Sequence, residues 1–247
     1  TQCKRSERGS KKKGLLHKMH YIYVMEEAKC MNDKMETIQK LTETLVEQRS
    51  GDMFSLLTFR ADRKGVSTYT SIEGADTFTS AELKTVLQTV KDKFANLDSS
   101  STKNAVEALY SGLMLPVERR MMHSIYLFTC SPCADHKVYT SATLNGLMKM
   151  KKISVQYFTT GQNFGDSSTL GVTRNEVLRL GKSKKLEKDP SLYGVAVPRD
   201  MCAGVARNVG DGAVWSLDAI KTSGNTEVYT KIKNLSIGSQ FYKSYSD

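Results

Sequence analysis

The chain has 247 residues, 39% of them hydrophobic, and a formal net charge of +10 at pH 7. That length suits one large α/β domain, or a domain with extensions. The sequence contains no apolar run of about 18 residues, which a membrane-spanning helix needs, and its first 20 residues lack the apolar core of a signal peptide. Because the first residue is Thr1, we expect a mature or trimmed chain.

The positive charge is concentrated at the N-terminus, where residues 1–19 are predicted to form a basic arm. Residues 1–18 contain seven basic side chains and one acidic side chain, Glu7, and so carry a net charge of +6. Such an arm can bind the phosphate backbone of a nucleic acid or an anionic membrane, or it can be a solvated leader. Two smaller lysine clusters lie at residues 149–152 and 182–188. The basic residues of the arm are Lys4, Arg5, Arg8, Lys11, Lys12, Lys13 and Lys18.

After the arm, short apolar segments alternate with segments of helical periodicity. Residues 98–115 are predicted to be a loop running into a helix, residues 161–191 an insertion rich in Gly, Ser and Lys, and residues 236–247 an extended tail. Ser80 is the expected N-cap of its helix. The other predicted helices lie at 32–48, 80–97, 141–152, 199–211 and 226–235. The predicted strands lie at 21–24, 53–59, 66–72 (half polar, and so expected at an edge), 123–129, 153–160, 192–197 and 213–217.

This alternation predicts an α/β fold of Rossmann-like type, with a mostly parallel central sheet and helices on both faces. In open parallel sheets, binding sites form at the carboxyl ends of the strands. The loops at 25–30, 98–104 and 129–136 should therefore line the candidate site.

Five junctions resemble, in the correct order, the motifs of the von Willebrand factor type A (vWA) domain. The first is similar to the family's Asp-x-Ser-x-Ser junction between a strand and a helix, and the fourth to its strand ending in Thr-Asp-Gly. The resemblance covers about residues 20–220 and implies a vWA-like domain over residues 20–235. The five segments are YIYVMEEAKCM, GDMFSLLTF, SSSTKNAVEAL, SIYLFTCSP and MCAGVARNVGDGAVWSLD.

In that family, these loops hold a divalent cation through oxygen ligands, the type of ligand that Mg²⁺ requires. The resemblance implies that this metal-ion-dependent adhesion site is degenerate here and that the chain holds no metal or other cofactor. A pair of Lys29 with Glu27 or Glu26 could replace the charge of the ion, or these side chains could face solvent, where such pairs contribute little. The degenerate positions are Met25, Glu27, Lys29, Thr102 (or Lys103, after a one-residue shift) and Cys130.

The resemblance also places four of the five cysteines at or near the carboxyl ends of the strands. One interpretation is one or two disulfides in place of the metal, such as Cys30 with Cys130 or Cys133, which requires an oxidising compartment. The others are a structural zinc site and ordinary buried thiols. The CSPC segment also resembles a thioredoxin redox motif, but no proline follows at a suitable spacing. The five cysteines are Cys3, Cys30, Cys130, Cys133 and Cys202.

Nothing in the motifs favours an enzyme, because the sequence has no Gly-x-Ser-x-Gly elbow and no Walker A run. The resemblance implies a non-enzymatic protein-interaction or structural module, of adhesion or extracellular-matrix type, in which basic residues steer acidic partners. Membership of a larger assembly would suit such a module, and a secreted location is slightly favoured over an intracellular one. The alternative is a nucleic-acid-associated vWA-like domain that uses the arm and the lysine clusters. The expected partner-binding residues are Glu26, Glu27, Lys29 and Lys103.

Overall fold

A computed structural model describes most of the predicted strands and helices, and all structural statements below concern those residues. The described residues are 18–46, 51–60, 66–69, 79–97, 105–116, 121–130, 132–160, 172–173, 200–208, 212–218, 220 and 226–241. The basic arm before Lys18, the insertion at 161–191 and the predicted strand at 192–197 therefore lie outside them, apart from the two strand residues 172–173. Their assignments stay predictions.

The centre of the fold is a seven-stranded sheet with the order β3-β2-β1-β4-β5-β7-β6. The five strands β2, β1, β4, β5 and β7 run parallel, and β3 and β6 are antiparallel strands at the two edges. This arrangement confirms the predicted α/β fold with a mostly parallel sheet, and it confirms the edge position of the third strand. The strands are β1 (Lys18–Glu26), β2 (Met53–Phe59), β3 (Val66–Tyr69), β4 (Met121–Phe128), β5 (Ser154–Thr159), β6 (Val172–Thr173) and β7 (Ala213–Ser216).

Helices cover both faces of the sheet, so the side chains on each face of the central strand β1 are buried in a separate apolar cluster. Tyr21 and Tyr23 point into the first cluster, which includes residues of α1, α2, α3 and α7. Ile22 and Val24 point into the second, which includes residues of α4, α5 and α6. The helices are α1 (Lys29–Asn32), α2 (Met35–Val46), α3 (Ser80–Phe94), α4 (Ala105–Met114), α5 (Ser141–Lys151), α6 (Met201–Asn208) and α7 (Thr226–Phe241).

Two details of the helices differ from the sequence predictions. Helix α3 is capped by Thr79, not Ser80, because the Thr79 hydroxyl accepts the amide of Glu82 and the Glu82 carboxylate accepts the amide of Thr79. Helix α7 continues to Phe241, so the prediction of an extended tail from residue 236 was wrong for the first six residues of that tail. Ser236 is fully buried, and its hydroxyl lies 2.6 Å from the Tyr126 hydroxyl, which holds this part of the helix against the sheet.

Candidate functional site

The candidate site lies where β1, β4 and β5 end, at the carboxyl edge of the parallel sheet. In register, Met25 of β1 is paired with Phe128 of β4 and with Thr58 of β2. This places the loop after β1 beside the loop after β4. The two segments that the sequence singled out are thus neighbours in space.

Glu26 is the last residue of β1, and its side chain is fully buried. Its Oε2 atom accepts the backbone amide of Cys130 at 2.8 Å, so the carboxylate bridges the ends of β1 and β4. Met25, which the resemblance placed at a metal-ligand position, instead points into the apolar cluster between the sheet and α1–α3. The β1 side chain that faces the loop after β4 is therefore the carboxylate of Glu26 and not the thioether of Met25.

Glu27 is also buried, and its charge is neutralised within the chain. The Thr58 hydroxyl donates to Oε1, and the Lys93 ammonium on α3 lies 3.2 Å from both carboxylate oxygens. Lys29 is exposed and, among the described residues, forms no ion pair with Glu26 or Glu27. Of the two alternatives for Lys29, the structure shows the one in which it faces solvent, and the ammonium beside Glu27 comes from Lys93.

These contacts correct the predicted partner-binding set. Glu26 is 0% exposed and Glu27 1% exposed, so neither can contact a partner protein. Lys29 remains on the surface, whereas Lys103 lies outside the described residues, as does Thr102.

A disulfide joins Cys30, at the second residue of α1, to Cys130, directly beyond β4. Cys130 is buried and Cys30 half-buried. The Thr160 hydroxyl donates to the Cys130 carbonyl oxygen at 2.7 Å, which adds the end of β5 to the same junction. The bond therefore closes the gap between the first and third candidate loops.

A second disulfide joins Cys133 to Cys202 of α6, and both residues are fully buried. Beside it, Asp200 Oδ1 accepts the amides of Ala203 and Cys133, at 3.1 Å and 3.3 Å. Asp200 thereby acts as the N-cap of α6 and holds the loop after β4.

The other oxygen of Asp200, Oδ2, accepts a hydrogen bond from the Tyr157 hydroxyl at 2.9 Å, and that hydroxyl lies 3.0 Å from Thr129 Oγ1. Burial raises the pKa of the Asp200 carboxyl and raises the pKa of Tyr157 well above its usual value. The three side chains form a closed polar network beneath the loop, with each group already hydrogen-bonded.

The cysteine pairs show what the sequence could and could not indicate. Cys30 with Cys130 is one of the pairs considered above, whereas Cys133 with Cys202 was not singled out. The four cysteines that the structure describes are paired in disulfides, so among them there is neither a four-thiolate zinc site nor a free buried thiol, and Cys3 lies outside the described residues. The roles of Lys93, Thr58, Tyr157 and Asp200 were also missed; the only signal was Asp200, an acidic residue directly before a helix.

The chemistry available at this edge is limited. Among the described residues, one group has three metal-ligating side chains close enough to share an ion: Cys133, Asp200 and Cys202, whose ligand atoms lie within 4.8 Å of one another. Both sulfurs of that group are bonded to each other. A disulfide sulfur is neither a thiolate ligand nor a nucleophile, so this arrangement is structural as it stands.

No protein-family model matches the sequence, and no curated protein sequence matches it either. Solved structures with a similar fold include proximal thread matrix protein 1 from the mussel byssus, at 12% identity and a TM-score of 0.48 over 90% of this chain. An aerotolerance-related membrane protein from Bacteroides fragilis is 13% identical over 86% of this chain and 99% of its own, with a TM-score of 0.46. The SpRpn10 VWA domain is 11% identical over 57% of this chain and 75% of its own, with a TM-score of 0.38.

This chain spans about half, 48%, of the length of the mussel protein. The vWA-like fold is the feature that the chain shares with these structures. Within the described part of the chain, no helix combines the length and the apolar character needed to cross a bilayer.

Proposed function

We propose that the chain is a non-enzymatic, metal-independent vWA-type module that binds a protein partner or supports an assembly. The observation that carries this proposal is the Cys30–Cys130 disulfide at the carboxyl edge, where a vWA domain of the ordinary type would hold its cation. The bond connects the first and third loops.

The positions fit this interpretation once the motif is shifted by one residue. The Asp-x-Ser-x-Ser pattern then falls on Glu26, Ala28 and Cys30, and the Asp of the third loop falls on Cys130. One carboxylate remains, and it accepts the amide of Cys130. Two former oxygen ligands have become the bonded sulfurs, and a methyl group replaces the third. A hard cation such as Mg²⁺ gains little from such a set.

The residues around this edge also argue against a catalytic role. General acid–base and nucleophilic catalysis need a side chain that can reach substrate and exchange a proton. The buried Glu27 carboxylate is already bound to the Thr58 hydroxyl and the Lys93 ammonium. The Asp200 carboxylate is bound to the Tyr157 hydroxyl and two backbone amides. Partner contacts would fall to exposed residues such as Lys29, whose charge suits an acidic partner.

Two disulfides further support a secreted or cell-surface location, because such bonds persist in oxidising compartments. The nucleic-acid alternative receives less support. In the lysine cluster at 149–152, the Lys151 ammonium is already bound to the carbonyl oxygens of Leu113 and Leu115.

The test is calorimetric titration of the oxidised chain with Mg²⁺ and Mn²⁺. We expect no binding in the micromolar range. As a positive control, the triple variant Ala28→Ser/Cys30→Ser/Cys130→Asp restores the oxygen ligands of the family around Glu26. Micromolar binding to the unaltered chain that disappears in Glu26→Gln would overturn metal independence.

A further inference from the structure

The opposite, amino edge of the sheet brings together the ends of several elements. Lys18 begins β1 and is paired with Met121 at the start of β4. Helix α5 ends at Lys151, shortly before β5. The Lys151 ammonium binds the carbonyl oxygens of Leu113 and Leu115, at 2.5 Å and 3.2 Å, and so fastens the end of α4 to the end of α5.

This edge exposes apolar side chains between lysines. Among the described residues, the large hydrophobic side chains that are well exposed are Met114 (50%), Val138 (69%) and Met150 (70%). Met114 ends α4 and Met150 lies in the last turn of α5, so both belong to the amino edge. Lys149 and Lys152, on either side of Met150 in the sequence, are exposed as well.

A third exposed lysine, Lys18, lies at the same edge, where β1 begins. Residues 1–17 hold six basic side chains and one acidic side chain, and they lead directly into Lys18, which is exposed. Lys18, Lys149 and Lys152 therefore give the described part of this edge three exposed positive charges.

We propose that the amino edge docks on an anionic phospholipid bilayer, with Met114 and Met150 entering the interface and the lysines contacting lipid head groups. Basic residues near an anionic membrane are attracted to its surface potential, and exposed apolar side chains gain free energy by leaving water. A dissolved polyanion would use the lysines but not the methionines. The exposed thioethers are the reason that the bilayer is favoured over nucleic acid.

This surface is separate from the carboxyl edge to which the proposed function refers. A chain bound to a membrane through its amino edge would direct Lys29 and the loop at 132–140 away from the lipid. The two proposals can therefore fail independently.

The test is co-sedimentation of the full chain with vesicles of phosphatidylcholine alone and of phosphatidylcholine mixed with phosphatidylserine. We expect binding to the mixed vesicles only, weakened by salt. Changing Lys149→Gln or Lys152→Gln should each weaken it about fivefold. The variants Met114→Ser and Met150→Ser should each weaken binding roughly fivefold as well, since each removes an exposed apolar side chain.

Val138 offers a matched control, because it is as exposed as Met150 but lies in the loop before α5, at the other end of that helix. Val138→Ser should leave vesicle binding unchanged. The proposal is overturned if the chain ignores both vesicles, or if Val138→Ser weakens binding as much as Met150→Ser. It is equally overturned if the chain binds duplex DNA with the methionine variants unaffected and shows no vesicle binding.

Discussion

Mild acid should destabilise this protein through two buried histidines. His20 of β1 and His123 of β4 are paired in the sheet, and their rings meet edge to face with centroids 5.1 Å apart. His20 Nε2 lies 2.8 Å from the Ser55 hydroxyl. Burial first, and then the neighbouring His123, lower the pKa of His20 from 6.5 to about 4. Burial first, and then the Lys151 ammonium, lower the pKa of His123 to about 4.

The sign and size of the effect follow from linkage. Each ring takes up a proton near pH 6.5 in the unfolded chain but only near pH 4 in the native protein. Between those values the unfolded state binds more protons, so the free energy of unfolding falls as the pH falls. The contribution of the neutral rings to the free energy of unfolding is complete above pH 6.5. About 2 kcal/mol of it per ring is lost by pH 5, and about 3 kcal/mol per ring is lost below pH 4.

Urea unfolding from pH 7.5 to pH 5 measures this dependence, with fluorescence of the single tryptophan, fully buried Trp215, as the probe. The double variant His20→Gln/His123→Phe removes both titrating groups and keeps an aromatic ring at position 123. Over that pH range, the free energy of unfolding of this variant should change far less with pH than that of the unaltered chain. Asp200 titrates in both proteins, so its contribution cancels in the difference. Equal slopes for the two proteins would refute the reasoning.

The structure also predicts how three further substitutions change the stability of the protein. Replacing both Cys30 and Cys130 by Ser opens a covalent loop with a sequence separation of 100 residues and should lower the unfolding free energy by about 4 to 5 kcal/mol, read from the urea midpoint without reductant. Gly146→Ala should raise it by about 1 kcal/mol, because a Cβ at this exposed helical position meets nothing within 4 Å. Gly112→Ala should lower the thermal midpoint, with a cost of about 1 to 2 kcal/mol, because its Cβ would lie 3.0 Å from Val24 Cγ2 in a packed core. A stabilising Gly112→Ala would contradict the packing described here.

The parallel sheet could be predicted because its strands are short apolar runs separated by helical patterns. The same property explains why the sequence pointed to Met25, and not to Glu26, as the residue that faces the loop after β4. A strand buried on both faces shows no alternation of polar and apolar residues, so nothing in YIYVMEE marks where the strand ends. The side chains of Met25 and Glu26 point to opposite faces of the sheet, because they are consecutive residues of one strand. Only the contact with the end of β4 shows which of them faces Cys130.

Long-range partners could not be predicted either. The contact between Glu27 and Lys93 spans 66 residues and depends on how α3 packs beside β2. Two adjacent glutamates after a strand are usually solvated, so sequence alone favours an exposed pair over a buried acid with a distant lysine. The same reasoning applies to Ser236, whose polar surroundings in the sequence indicated a tail while its hydroxyl is buried against Tyr126.

Under the proposed function, a covalent bond takes the place of a cation, and this changes how the carboxyl edge can be regulated. A metal-dependent edge responds to the concentration of its ion and to chelators, because the ion belongs to the site only while it is bound. The Cys30–Cys130 bond persists until a reductant reaches it, and Cys30 is the half-buried member while Cys133 and Cys202 are fully buried. Under the proposed function, chelators should therefore leave partner binding unchanged. A thiol reductant, which must reach the sulfur that it attacks, should act on the Cys30–Cys130 bond before it reaches the buried one. The first bond joins α1 to the end of β4, so its loss would release the carboxyl edge while the Cys133–Cys202 bond still fastened the following loop to α6.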